Sequence, residues 1–82
     1  MNRYYFDLDN GDGQTLDPEG LELPSRDRAS KEASRIVADL ARDEIPETEK
    51  GTICLTIRNS KGTPIAKTTL TFATEWLNGK GQ

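Results

Sequence analysis

The reading of residues 4–20, YYFDLDNGDGQTLDPEG, decides the fold. Asp7, Asp9, Asp12, Gly13 and Glu19 follow the spacing of an EF-hand calcium loop with one extra residue in its first half. A loop of that kind is entered and left by helices. Here Tyr4, Phe6 and Leu8 instead alternate against Tyr5 and Asp7, the period of a strand, so Asp7 projects from the opposite face to Leu8. Asn10-Gly11 then supplies a pair tolerant of positive φ, the commonest hairpin chemistry, and Gly13 makes room for a longer loop. The segment is therefore expected to be a β-hairpin whose carboxylates serve its turns, with a weak calcium site as the alternative. Its second strand runs from about Gln14 to Leu23, interrupted by a turn or bulge at Asp17-Pro18-Glu19-Gly20.

Outward from this hairpin, Ser25 is placed to cap a helix, with Asp27 in the first turn where the helix dipole favours an acid. Ala29, Ala33, Ile36, Val37, Leu40 and Ala41 form one helical stripe, and Pro46 marks its end. Ile53, Leu55 and Ile57 then alternate against Thr52, Cys54, Thr56 and Arg58 as a third strand. Asn59-Ser60-Lys61-Gly62 turns the chain into a fourth strand over residues 64–73, with Ala66, Thr68, Leu70 and Phe72 assigned to the core. The order ββαββ predicts an α+β fold: a four-stranded, mainly antiparallel sheet with one helix packed on one face. Residues 1–77 make a single domain, in which Trp76-Leu77 folds back as a lid, and 78–82 a flexible tail. The second sheet face carries Arg3, Tyr5, Asp7, Thr52, Cys54, Thr56, Arg58, Lys67, Thr69 and Thr71, polar enough to meet water or a wet interface.

Composition narrows the chemistry. Eighty-two residues, 33% hydrophobic and 30% charged, support one thin core and little beyond it. No apolar run approaches the roughly 20 residues of a membrane helix, and the N-terminus lacks the pattern of a signal peptide, so a cytoplasmic protein without membrane attachment is expected. The single Cys54 fits a reducing compartment. The net charge of −3 is dipolar, −5 over residues 1–24 and +3 over residues 51–82. This is not the basic excess of an unspecific nucleic-acid binder.

RYYFDL at residues 3–8, DPEGLELPS at 17–25, the alanine-spaced helix and the NSKG turn together resemble a family of short uncharacterised bacterial proteins common in alphaproteobacteria. The resemblance implies a compact single domain and transfers no catalytic residue. A weaker, architectural likeness is to HicB-type antitoxins, which also begin with a short hairpin followed by an amphipathic helix.

Two surfaces are candidates for function. Thr68, Thr69, Leu70 and Thr71 lie in the uncharged middle of the fourth strand, which is the better docking strand if it lies at a sheet edge. Arg28, Lys31, Arg35 and Arg42 fall on one side of the helix, almost opposite the apolar stripe, as a ridge that could meet a phosphate backbone or an acidic partner. Glu32, Asp39 and Asp43 flank that ridge, as on an ordinary solvated helix face. With no histidine in the chain and no recognisable nucleophile context, neither an enzyme nor a cofactor or metal site is expected. The leading expectation is a small interaction module that binds itself or a protein partner through a sheet edge or the polar sheet face. The alternative is an antitoxin-like nucleic-acid-binding regulator using the helix ridge.

Overall fold

The computed structural model describes residues 1–11 and 13–78. The elements are β1 (Asn2–Asp9), β2 (Gln14–Thr15), β3 (Leu21–Leu23), α1 (Arg26–Glu44), a 3₁₀ turn (Ile45–Glu47), β4 (Lys50–Arg58) and β5 (Pro64–Ala73). They form the expected α+β fold. All strand pairings are antiparallel, in the order β2-β1-β4-β5, with β3 beside β1 on the same side as β2. The expected second strand is thus two short strands along one flank of β1, because residues 17–20 leave the ladder between them. Asp12 and residues 79–82, which include most of the expected tail, lie outside the described residues.

α1 is set by its cap and its stripe. The Ser25 hydroxyl accepts the Arg28 N–H at 3.2 Å, and Asp27 sits in the first turn. Ala29, Ala33, Val37 and Ala41, each four residues apart, are buried. Three of them are alanines, so the helix backbone lies close to the sheet. Against it stand Tyr4 from β1 and Ile53, Leu55 and Ile57 from β4, with Phe6, Leu8, Leu23, Ile36, Leu40, Leu70 and Phe72 packed around them. The α-helix ends at Glu44, and Pro46 lies inside the following 3₁₀ turn rather than beyond the last turn. Proline is compatible there because the first N–H groups of a turn have no partner within it.

Two local expectations are corrected. Ala66 is exposed although it stands opposite the buried Ile57, while its neighbour Ile65, the extra residue where the β4–β5 register shifts between Ile57 and Arg58, packs against the core. Trp76 is 52% exposed and tied at the rim by its indole N–H to Glu49 Oε1 at 3.1 Å, while Leu77 is 91% exposed. The two residues form no lid over the core.

Candidate functional site

The acidic segment is an internal clasp. Asp7, on the polar sheet face, is only 4% exposed and pairs with Arg58 through Nε to Oδ2 at 2.5 Å and Nη2 to Oδ1 at 3.1 Å. Residues 17–20 fold over this pair: the Asp17 N–H donates to Asp7 Oδ1, and Arg58 Nη2 donates to the Asp17 carbonyl. The Asp17 carboxylate accepts the N–H groups of Phe6, Glu19 and Gly20. Phe6 lies between the part of β1 paired with β3 and the part paired with β2, so Asp17 supplies the acceptor that the interrupted strand does not. Arg58 also lies over the Tyr5 ring at 4.8 Å, a cation–π contact.

The electrostatics follow from these contacts. The Arg58 hydrogen bonds hold the Asp7 carboxyl below its ordinary pKa despite its burial, and the Asp17 N–H adds to the effect. Burial would raise Asp17, but the three N–H groups it accepts outweigh that and leave it lowered. These two carboxylates are engaged within the fold. No group of three or more histidine, cysteine, aspartate or glutamate residues among the described residues is placed to hold a metal.

The helix ridge is largely neutralised at one end. Arg35 bonds Glu32 and Asp39, and Arg42 bonds Asp39. The Arg35 guanidinium lowers the Glu32 pKa, with burial opposing it. Lys31 and Arg28 are exposed about one and two turns, respectively, nearer the N-terminus than Arg35. A cavity of about 330 Å³ opens where the helix exit meets the sheet, between Glu44, Glu47, Lys50 and Phe72.

β5 is an outer strand of the sheet: β4 lies on one side, and no described strand on the other. Its backbone phase follows from its ends. The Thr74 N–H donates to the Glu49 carbonyl at 2.6 Å, one step beyond the Lys50–Ala73 pair. Antiparallel ladders alternate hydrogen-bonded and non-bonded pairs, so Phe72, Leu70, Thr68 and Ala66 turn their backbone groups towards β4. Lys67, Thr69, Thr71 and Ala73 turn theirs outward. The other end agrees: Asn59 N–H donates to the Thr63 carbonyl, which makes Arg58–Pro64 a non-bonded pair. Pro64 therefore faces the open edge, where its missing N–H costs no ladder bond.

Side chains on this edge divide by the same alternation. Leu70, Phe72 and Thr68 are half-buried on the helix side, while Lys67, Thr69 and Thr71 are exposed on the polar side. Cys54 lies next to them, its Sγ 3.6 Å from Thr69 Oγ1. The opposite flank of the sheet is different in kind: β2 and β3 have two and three residues, separated by the clasp. The structure thus gathers Thr68, Thr69, Leu70 and Thr71 at an open edge and places the basic ridge on the exposed side of α1. Sequence reasoning missed the Asp7–Arg58 pair. Their opposite charges and shared polar face were its only signal, and the pairing of β1 with β4 that joins them is not encoded locally.

Residues 3–71 match the family model described as a domain of unknown function, DUF6894, and the chain belongs to that family. No curated protein and no solved structure matches it.

Proposed function

We propose that this member of a family without an assigned activity is a small, non-enzymatic interaction module that binds an extended polypeptide strand along β5. The observation that carries this reading is the phase of the edge. Four consecutive outward-facing residues, Lys67, Thr69, Thr71 and Ala73, present paired donors and acceptors, and Lys67 is the only charge within β5. Proteins ordinarily blunt such edges with charge, proline or a bulge. Here Pro64 and the Ile65 bulge blunt only the start of the strand. Strand addition of this kind draws affinity from main-chain hydrogen bonds and specificity from alternate side chains. An apolar side chain of the bound strand would meet Leu70 and Phe72, and a small polar one Thr69 and Thr71.

The competing use of the helix ridge in nucleic-acid binding draws less support. Arg35 and Arg42 already have carboxylate partners, and the chain carries a net charge of −3. A cytoplasmic setting suits the single half-buried Cys54.

Parallel capture from native lysate tests the reading. Thr71→Pro removes an outward N–H, and Thr69→Glu places a charge on the edge. Both variants should keep the circular dichroism spectrum of the parent and lose the polypeptides the parent retains. Retention of the same polypeptides by both variants would place the binding surface elsewhere.

A further inference from the structure

We infer that the strand received by β5 is β5 of a second copy of this chain, paired antiparallel about a two-fold axis at Leu70; this rests on the strand-docking reading above. The regular part of the edge, beyond the Ile65 bulge, has outward groups at Lys67, Thr69, Thr71 and Ala73. A symmetric antiparallel pair must match outward residues with outward residues. Centred on Leu70, Lys67 meets Ala73 of the other copy and Thr69 meets Thr71, so all four outward residues of each strand are bonded. Centring on Thr69 or Thr71 leaves Ala73 or Lys67, respectively, opposite a residue outside the regular stretch and loses bonds.

The side chains fit that register as well. Lys67 faces Ala73 rather than its own symmetry mate, so no like charges stand opposite one another. On the helix side the half-buried Leu70 meets its counterpart, and Phe72 meets Thr68, an aromatic against a β-branched residue. On the other side, threonine faces threonine. Association also closes at two copies. The far flank of the sheet is broken into β2 and β3 by the clasp, which leaves no comparable edge among the described residues to propagate an open array. The product is one continuous sheet across both molecules.

Sedimentation and cross-linking test this together. The full chain should change from monomer to dimer between low micromolar and millimolar concentration, with no higher species. In a Cys54→Ser background, Leu70→Cys should form an intermolecular disulfide on mild oxidation, because the non-bonded pair at the axis brings the two α-carbons within disulfide range. Since Leu70 contributes to the core, Thr68→Cys mixed with Phe72→Cys is the second arm. The mixture should cross-link, and Thr68→Cys alone should not. A monomer at every concentration would overturn the self-pairing, as would a dimer in which Thr68→Cys alone cross-links most strongly. If the chain stays monomeric while capture remains sensitive to Thr71→Pro, strand docking stands with a different strand as its occupant. Loss of both would remove the docking reading too.

Discussion

Asp7 and Asp17 decide whether the first hairpin closes over the polar sheet face. Both carboxyls are lowered in the folded chain, so below the ordinary aspartate value the unfolded chain takes up protons first. The stability they confer is fully present above about pH 4 and is lost as pH falls towards their depressed folded values. Thermal melts from pH 7 to pH 2 should show this loss, and Asp7→Asn should show a smaller one. At neutral pH, Asp7→Ala should cost on the order of 2 kcal/mol, the scale of hydrogen bonds to a charged group. Gly20 is equally constrained. Its φ is +71°, and a Cβ there would stand 2.8 Å from the Tyr4 carbonyl oxygen. Gly20→Ala should therefore lower the melting temperature, whereas Gly62→Ala, in open space at φ +84°, should carry only the cost of the left-handed backbone. The turn chemistry of this segment is legible from its Asp, Asn and Gly residues. The destination of its carboxylates is not, because Asp7 meets a partner 51 residues away in sequence.

The helix and strands were more legible than the clasp, since period and capping are local properties. The spacing of Ala29, Ala33, Val37 and Ala41 and the Ser25 cap are enough to place α1, and the alternation in β4 fixes its buried side. The β5 bulge was not legible: Ala66 continues the alternation of Thr68, Leu70 and Phe72, and only the pairing with β4 shows that Ile65 is an extra residue beside it, free to pack against the core. Burial then grades the mutations. Leu55 is fully buried and Leu40 partly so, hence Leu55→Ala should cost about 2–5 kcal/mol and Leu40→Ala the low end of that range, measured by urea denaturation. Ala33 has no exposed surface, so Ala33→Leu should push helix and sheet apart and cost about 1–3 kcal/mol. Equal effects of Leu55→Ala and Leu40→Ala would mean that the helix sits elsewhere on the sheet.

For the whole molecule, the two flanks of the sheet differ in a way that sequence reasoning anticipated only conditionally. The uncharged middle of the last strand was readable, but its place at the edge depends on the order β2-β1-β4-β5, which local periodicity does not encode. Once the order is known, one flank is broken by the Asp17 clasp and the other presents a regular row of donors and acceptors. The central claim is that this row receives a strand. Residue-resolved amide hydrogen exchange along β5, followed by NMR at rising protein concentration, tests it most directly. The amides of Thr68, Leu70 and Phe72, bonded to β4, should be slow at every concentration. Those of Lys67, Thr69, Thr71 and Ala73 should be fast in dilute solution and become slow as copies associate. Fast exchange at these four positions in millimolar protein would contradict self-pairing, and slow exchange at them in dilute monomer would contradict the open edge itself.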